Sequence, residues 1–479
     1  MINILLLGAL CNQAGAETLN LSYEEALQKA VQNNPQIQLA LLQQDQARMA
    51  VMSAKSIFDP SLNISAGQNT NTREQFFAGL GIFKSEVSGP TYTVGMNSTL
   101  PTGTNLSVDW TTSRSVSVFA SQEFEDLEQE ISPIDTTLTM TITQSLLQGY
   151  KIRYNEQALR QAQRALTISE WSAIEGAQAA LADTASAYWN AVYQSEMLRL
   201  ANESIQIAQE EERLVSARVE QEQLAPVELE RVKAATLSAK VAALEAQAGL
   251  EASLESLLLL LGEDSQQEIL LRSTVPTFDI EAVDVEREVA QILESNPTLR
   301  RMAMNIVSAE EEYKDAKHAL LPNLTGTARL SYTGWENEFP NAVDEMLARE
   351  LPGRYVGLNL EVPIANWGDR GAYQQKKIAL DQARKEYEQQ ERAIVQQVYL
   401  QLRTIEQAQT RIELHRLNIS VAEKTLQGDQ ALRNADRNLE KDVLASLKAL
   451  EEAKVNYEKA VVDSVLAWVE LQKLKGSLR

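Results

Sequence analysis

The sequence is poor in the residues that build most metal and catalytic sites. Its 479 residues include one cysteine, Cys11, and two histidines, His318 and His415. A disulfide within the chain is therefore impossible, and metal sites rich in Cys or His are excluded. Both histidines lie in charged helical segments, which indicates solvated helix faces rather than a catalytic base. Since no phosphate-binding loop or acid–base cluster stands out either, we expect no enzyme, no cofactor and no metal.

Long apolar runs are also missing. A membrane-spanning helix needs about 20 consecutive apolar residues, and no such run occurs, although 44% of the residues are hydrophobic. A membrane protein is not excluded by this, because the strands of a membrane barrel alternate in polarity and keep mean hydropathy low.

Basic residues are outnumbered. There are 44 Lys and Arg against 66 Asp and Glu, which gives a net charge of −22. Nucleic-acid binding needs an excess of positive charge to neutralise phosphates, so that class of function is disfavoured. An acidic surface keeps a protein soluble, and an acidic lumen would favour cations. Both interpretations stay open at this point.

The N-terminal segment is typical of a secretory signal. An apolar run from Ile4 to Leu10 precedes Ala14-Gly15-Ala16, which matches a small-residue cleavage site. Cleavage after Ala16 would make residues 1–16 a signal peptide and remove Cys11. The basic residues usual at the start of such a signal are absent. Lipidation of Cys11 stays an alternative, although Leu10 is larger than the usual residue before a lipidated cysteine.

The few prolines, 12 in the chain, reveal an internal duplication. Pro35 and Pro297 each follow an asparagine, and they lie 297 − 35 = 262 residues apart. Pro60 and Pro322 lie 322 − 60 = 262 residues apart as well. A helical pattern of equal length therefore runs from Pro35 to Pro60 and from Pro297 to Pro322. The Asn-Pro pairs mark a break before it, because Asn-Pro favours a turn, and Pro60 and Pro322 end it, because proline disfavours helix in the residue before it. Alternating polarity follows each second proline, so we predict two repeats.

Each repeat is predicted to contain a helix, then strands, then a long helical hairpin. From Asn155 to about Leu214 there is no proline and only one glycine, which predicts a helix roughly 90 Å long. The predicted bounds are 17–270 for the first repeat (strands about 60–146, hairpin 155–262) and 271–479 for the second (helix 285–319, strands about 322–363, hairpin 372–476).

The predicted strands have two unlike faces. Apolar and polar residues alternate strictly in 324–333. They also alternate in 356–362, which follows an acid-rich loop, and in 134–143, where the apolar members are Ile134, Leu138, Met140 and Ile142. A soluble sandwich with one wet face is one interpretation. The aromatic residues at strand ends, such as Trp335 and Tyr355, fit the girdles of a membrane barrel instead. Because lipid tolerates no open sheet edge, so few strands would need several chains to share one barrel.

The first repeat has additional strand sequence. TYTVGMNSTL and TNLSVDWTTSRSVSVF flank a Pro-Thr-Gly turn at residues 101–103, and together they predict an extra hairpin over 92–118. Its place stays open, either within a shared barrel or projecting beyond it.

Both halves of the chain resemble the TolC-type outer-membrane efflux proteins. The resemblance is carried by the duplicated segments NNP…IFDP and SNP…LLP, and by the junctions TITQSLLQGYKIRYNEQALRQAQ and LEVPIANWGDRGAYQQKKIALDQA. It implies a mainly α fold with β: a homotrimer whose strands share one outer-membrane β-barrel, continuous with a long α-helical barrel in the periplasm. It also implies a passive export channel of a tripartite efflux or type I secretion system. Its partners would be a periplasmic adaptor protein, an inner-membrane transporter and outer-membrane lipid. The alternative is a soluble periplasmic coiled-coil scaffold.

The resemblance also implies roles for the hairpin tips. The family usually has a tip glycine in a short motif before an aspartate, and this chain has it at neither tip. The pattern KDVL places Asp442 at a pore constriction, and the family's basic gate position falls on Asn438 beside Arg437. Alternatively, Asp442 is an exposed acid that the helix dipole favours. At the first tip the candidate adaptor contacts, which also fit a plain packing cluster, are Leu224, Ala225, Pro226 and Val227.

Overall fold

The structure is a computed structural model that describes residues 19–77, 81–114, 116–121, 129–263, 269–272, 285–348, 352–434 and 440–478. The predicted signal peptide, residues 1–16 with Cys11, lies outside these ranges. No helix within them combines the length and the apolar character that crossing a membrane requires.

Long helices and one large sheet make up the fold. The helices are α1 (Tyr23–Asn33), α2 (Pro35–Lys55), α3 (Ile152–Asn155), α4 (Gln157–Glu220), α5 (Pro226–Leu261), α6 (Val285–Ser295), α7 (Pro297–Ala319), α8 (Phe339–Ala348), α9 (Trp367–Asn434) and α10 (Glu440–Lys475). The strands are β1 (Leu19–Leu21), β2 (Ser61–Phe77), β3 (Gly81–Thr99), β4 (Thr104–Arg114), β5 (Val116–Ser121), β6 (Gln129–Ile131), β7 (Ile134–Ser145), β8 (Ile269–Leu271), β9 (Asn323–Glu336) and β10 (Gly353–Glu361).

The same order of elements occurs in both halves. A short strand, a short helix, a longer helix, a group of strands and a helical hairpin follow each other from β1 to α5 and again from β8 to α10. The group contains the six strands β2 to β7 in the first half and the two strands β9 and β10 in the second. The two short strands β1 and β8 pair in parallel, with Leu19 opposite Ile269. The predicted boundary between the two repeats, at 270/271, falls inside β8, and the duplication stays a prediction. The segment expected to be an acid-rich loop before β10 instead contains the helix α8.

The chain divides into two compact units. The helical unit comprises Met1–Asp45, Ile168–Ala303 and Lys385–Arg479, and the strand unit comprises Gln46–Thr167 and Met304–Arg384. The largest apolar cluster of the helical unit packs small alanines of α4 around the fully buried Tyr188, together with Leu257, Leu261 and Val469. Alanine at these positions allows close approach of helices, while Tyr188 and the leucines supply most of the buried apolar area.

The two Asn-Pro pairs have the same structural role within the helical unit. Asn34 is fully buried; its Oδ1 accepts a hydrogen bond of 2.8 Å from the first turn of α2, and its Nδ2 donates to the carbonyl of Leu260 at 2.7 Å. Asn296 caps α7 with a bond of 3.1 Å and donates to the carbonyl of Leu474 at 2.8 Å. Each asparagine therefore starts one helix and satisfies a free carbonyl at the end of another.

A left-handed glycine completes each of these contacts. Gly262 follows α5 with φ 66°, and Gly476 follows α10 with φ 69°. A Cβ at Gly262 would lie 2.5 Å from the carbonyl oxygen of Asn33, and one at Gly476 would lie 3.2 Å from the ring of Pro297. The backbone conformation and the lack of space both require glycine here.

The sheet of the strand unit is an antiparallel meander. Six of its strands are neighbours in the order β2-β3-β4-β7-β9-β10; these six are called the meander below. Among the described residues, β5 pairs with the outer part of β3 beyond β4, and β6 pairs with β5. The strand ends that adjoin α2, α3, α7 and α9 form one end of the meander, called the helix-proximal edge below. The outermost strands on its two sides are β2 and β10.

Candidate functional site

The meander has one apolar face, formed by the even-numbered residues of all six strands. The pairing register joins Ile64 to Val94, Trp110, Leu138 and Tyr332 in one continuous row. The next row joins Leu62, Met96, Val108, Met140 and Leu330. Side chains of this face are exposed in the single chain, up to 85% for Val356. A contiguous exposed apolar surface of this kind indicates contact with lipid or with another protein.

The opposite, odd-numbered face is polar. Hydroxyl groups face each other across strands, as for Thr93 and Thr111, whose oxygens are 3.2 Å apart, and for Thr137 and Thr333 at the same distance. The guanidinium of Arg329 lies over the ring of Tyr355, 5.9 Å from its centroid, which is a cation–π arrangement. The sheet therefore separates an apolar side from a side that water can occupy.

Helix α8 covers the end of the apolar face far from the long helices. Phe339 stacks on Trp110 with ring centroids 6.2 Å apart, and the indole of Trp110 donates to the hydroxyl of Thr136 at 2.9 Å. A Cβ at Gly334 would overlap the backbone of Ala342, so the helix rests directly on the sheet. Trp335 and Tyr355, which were expected in an aromatic girdle of the apolar face, are odd-numbered and lie on the polar face instead, so that expectation was wrong for both residues. Trp335 keeps 59% of its surface exposed.

The junction between the strands and the long helices contains one of the two histidines. His318 stacks on Tyr154 with ring centroids 3.4 Å apart, and its Nε2 accepts a hydrogen bond of 3.1 Å from the backbone of Gly149. Burial, aided by the charge of Lys151, lowers the pKa of His318. The expectation of a solvated helix face was wrong for this residue, because the ring bridges α7 and the start of α3.

An ion cluster next to this junction joins α7 to the start of α4. Arg153 and Arg160 contact the Glu311 carboxylate at 2.8 and 3.1 Å, and Arg160 lies 3.5 Å from the buried Asp315. Burial raises the pKa of Asp315 against the pull of Arg160. Burial opposes ionisation of Glu311 too, but the hydrogen bond from Lys314 and the arginine charges lower the pKa of that carboxyl overall. The cluster contains acid–base groups, but they pair with each other between packed helices, which suits a structural role.

The α4–α5 tip turns without a glycine. Glu222 has φ 59°, and the backbone N–H groups of Glu222 and Gln223 donate to Val219 at 3.0 Å and to Arg218 at 2.9 Å. These two bonds form a Schellman motif, with a glutamate in the left-handed position where glycine is usual. Pro226 then occupies the first position of α5. The candidate adaptor contacts lie together in this turn: Leu224 is half-buried, whereas Ala225, Pro226 and Val227 are exposed.

The α9–α10 tip is described only in part. Asn438 and Arg437 lie outside the described residues, and Asp442 is half-buried in the first turns of α10. The following Val443 is buried in an apolar cluster with Leu426 and Leu450, so the helix is firmly packed directly after Asp442. Within one chain, Asp442 and the α4–α5 tip belong to different hairpins.

A buried ion pair near the tips was not predicted from the sequence. Arg433, in the last turn of α9, hydrogen-bonds to Glu211 of α4, and the two side chains are only 8% and 6% exposed. The sequence signal was weak, because Glu211 stands in a row of three glutamates. The pair joins the two helical hairpins close to their tips.

No cluster of His, Cys, Asp or Glu side chains suited to a metal ion occurs in the described ranges.

Comparison with known proteins identifies the fold. Residues 289–477 match the sequence profile of the outer membrane efflux protein family. No curated protein sequence matches the chain.

Among solved structures, the chain is similar to the CmeC outer membrane channel of Campylobacter jejuni, with a TM-score of 0.70 and 14% identity over 95% of this chain and 85% of that one. VceC of Vibrio cholerae gives a TM-score of 0.70 and 14% identity over 95% and 96%. The open MtrE channel of Neisseria gonorrhoeae gives 0.66 and 14% over 95% and 89%. The predicted resemblance and the mainly α fold with β are thereby confirmed.

Proposed function

We propose that this protein is a passive efflux channel. The proposal starts from the family match over residues 289–477 and from a fold shared with outer-membrane channels along nearly the whole chain. The channel would lie in the outer membrane and extend into the periplasm. The observation that carries the proposal is the meander, because one continuous apolar face and one hydroxyl-rich face suit a wall between lipid and water. Proteins of this family are channels rather than enzymes, and we propose no reaction for this chain.

The proposed working form is a ring of three copies. One meander leaves β2 and β10 as unpaired edges, and unpaired backbone groups are costly in hydrocarbon. Pairing the β10 edge of one copy with the β2 edge of the next satisfies both edges. A ring of three such contacts closes a barrel with the hydroxyl-rich face inside.

Reconstitution tests the channel directly. The mature chain, extracted in mild detergent and added to planar lipid bilayers, is expected to insert and to give discrete conductance steps. A soluble periplasmic scaffold would instead remain in the soluble fraction after lysis and would produce no steps. Failure to sediment with outer membranes, together with silent bilayers, would remove the proposal.

We propose that Asp442 lines the narrow end of the channel. Three copies around an axis would bring three carboxylates together, and like charges in a confined mouth attract cations and repel anions. Asn438 and Arg437, which precede α10, would face the same constriction. Asp442→Asn is expected to reduce the cation preference measured from the reversal potential in a salt gradient. Asp381→Asn, which makes the same charge change at an exposed site of α9, serves as the control and should leave the preference unchanged. If the two variants behave alike, Asp442 is not at the constriction.

We propose that the α4–α5 tip contacts a periplasmic adaptor, which links the channel to an inner-membrane transporter. Leu224, Ala225, Pro226 and Val227 are contiguous, and Val227 exposes 56% of an apolar side chain beside an exposed proline. A photo-crosslinker at Val227 should capture a co-expressed adaptor. The same crosslinker at Leu237, equally apolar and 62% exposed but further along α5, should not. Absence of a crosslink at all four tip positions would exclude this tip as the docking site.

A further inference from the structure

We propose that the β3–β4 hairpin is an insertion into the membrane wall itself, so that each copy contributes six strands to the barrel. The duplication alone would supply four. This inference rests on the proposed function, since it concerns the composition of the wall that the function requires. It also answers where the additional strands of the first repeat belong.

The duplication identifies which strands are additional. In the second repeat, β9 and β10 lie between α7 and α9 and pair with each other from Gly353–Ser331 to Glu361–Asn323. Their counterparts in the first repeat are β2 after α2 and β7 before α3. These two do not pair with each other. Instead β3 pairs with the whole of β2, β4 pairs with β7, and the hairpin occupies the space between them.

The polarity of the hairpin matches that of its neighbours. Val94 and Met96 of β3, and Val108 and Trp110 of β4, fall in the same rows as the apolar residues of β2, β7 and β9. These four side chains remain 38–49% exposed in the single chain. A hairpin projecting into water would be exposed to solvent on both faces, so burial would not require apolar residues in the same rows.

The hairpin is also fixed at the helix-proximal edge. The carbonyl of Gly103 accepts a hydrogen bond of 3.1 Å from Ser145, and that of Thr102 accepts one of 3.1 Å from the Gln144 side chain. The turn between β3 and β4 is therefore bonded to the end of β7, where the long helices begin. Its strands start at the same level as those of the rest of the meander.

Strand lengths and directions allow the ring to close. β4, β7, β9 and β10 have 11, 12, 14 and 9 residues, and a tilted membrane strand needs about 9–11. Two added strands keep the number per copy even, so β2 and β10 run in opposite directions and neighbouring copies can pair antiparallel. Three copies then give 6 × 3 = 18 strands. Because barrel diameter grows with strand number, this barrel would enclose a water-filled lumen wider than that of a 4 × 3 = 12-stranded ring.

Site-directed spin labelling tests the placement of the hairpin. Single cysteines would be introduced at Met96 and Val108 on the apolar face and at Asn97 and Ser107 on the polar face, in a chain whose Cys11 is replaced by serine. The protein is reconstituted in phosphatidylethanolamine–phosphatidylglycerol vesicles. Collisions with oxygen report lipid, and collisions with a water-soluble nickel chelate report the aqueous phase. Labels at Met96 and Val108 should favour oxygen several-fold, and labels at Asn97 and Ser107 should favour the nickel chelate.

A matched pair on β9 separates this inference from the function on which it rests. Labels at Leu330 and Ser331 should show the same lipid and water preferences as the hairpin positions. If Leu330 contacts lipid while Met96 and Val108 are accessible to the nickel chelate, the hairpin projects and the inference is wrong, although the channel stands. If Leu330 is accessible to water as well, the proposed membrane wall fails as a whole.

Discussion

At the scale of single residues, the paired asparagines show how a side chain joins distant parts of the sequence. Asn34 and Asn296 each use the carbonyl oxygen to cap the helix that they precede and the amide nitrogen to bind the last turn of a helix about two hundred residues away. Serine or aspartate would cap equally well but would lack the second function. The repeated Asn-Pro is thus explained by two simultaneous hydrogen-bonding requirements at one buried position.

Replacement of either asparagine by alanine is expected to destabilise the helical unit. Asn34→Ala removes an N-cap, worth about 1 kcal/mol, and leaves the Leu260 carbonyl without its buried donor, worth about 1–3 kcal/mol more. Asn296→Ala should have a similar effect at the other site. Thermal unfolding in detergent, followed by the helical circular dichroism signal, measures both losses. Asn418→Ala, at an exposed position of α9, is the control; equal shifts in all three variants would contradict the dual role.

His318 should make the stability of the strand–helix junction depend on pH. Burial first, and the Lys151 charge second, lower the pKa of His318 in the folded state below its ordinary value of 6.5. The unfolded chain therefore binds the proton more readily, so stability is fully present above pH 6.5 and is lost as the pH falls through the folded pKa. His318→Gln keeps a hydrogen-bond acceptor but cannot titrate. The melting temperature of the natural protein should fall faster than that of the variant on acidification below pH 6.5, and parallel profiles would be the contrary result.

At the scale of elements, the Glu211–Arg433 pair joins the two hairpins near their tips. Both side chains are almost fully buried. A buried ion pair adds little net stability compared with apolar residues, but a single unpaired charge left in the same place is strongly unfavourable. The pair is therefore expected to fix the alignment of α4 with α9 more than to supply stability.

A double-mutant cycle measures that coupling. Glu211→Ala and Arg433→Ala should each cost about 3–5 kcal/mol, because each removes one partner of a buried ion pair. The double variant Glu211→Ala with Arg433→Ala should cost much less than the sum of the two single changes. Arg213→Ala, which breaks an exposed pair with Glu210 on the same helix, should produce no detectable change. Additive losses in the cycle would mean that the charges do not interact.

The elements show how far the sequence determined the fold. Periodicity located the long helices and the strands β7, β9 and β10, because their patterns depend only on neighbouring residues. The helix α8 was missed because its ten residues were taken for an acid-rich loop, and its packing against Gly334 is a tertiary contact. The place of the β3–β4 hairpin could not be predicted either, since alternation identifies the faces of a strand but not the strands beside it.

The same limit applies to the candidate site. The tip residues Leu224 to Val227 and Asp442 were chosen by resemblance, and the structure adds their burial but not their partners. Glu211 and Arg433 were not predicted at all, because 222 residues separate them and neither stands in a distinctive pattern. Contacts between copies, on which a channel depends, are even harder to predict from local sequence patterns than contacts within the chain.

At the scale of the whole molecule, the acidic composition should influence ion selectivity over a longer range than a single site does. A net charge of −22 per chain gives a ring of three copies a large negative potential. The potential is strongest in confined spaces with walls of low dielectric constant. If the proposed ring of three copies forms, cation preference should come partly from the proposed Asp442 constriction and partly from the summed charge of the channel, and these two contributions differ in their range.

Ionic strength separates the two contributions. The Debye length falls from about 10 Å at 0.1 M salt to about 3 Å at 1 M, so the preference due to distant charges should largely disappear at high salt. The contribution of three carboxylates around a narrow constriction should persist. Reversal potentials at fixed concentration ratio, measured at low and high KCl, are expected to show strong cation preference that weakens with salt. Asp442→Asn should lose mainly the salt-resistant part. Anion preference at low salt would contradict the acidic lumen, and a salt-independent preference would assign selectivity to the constriction alone.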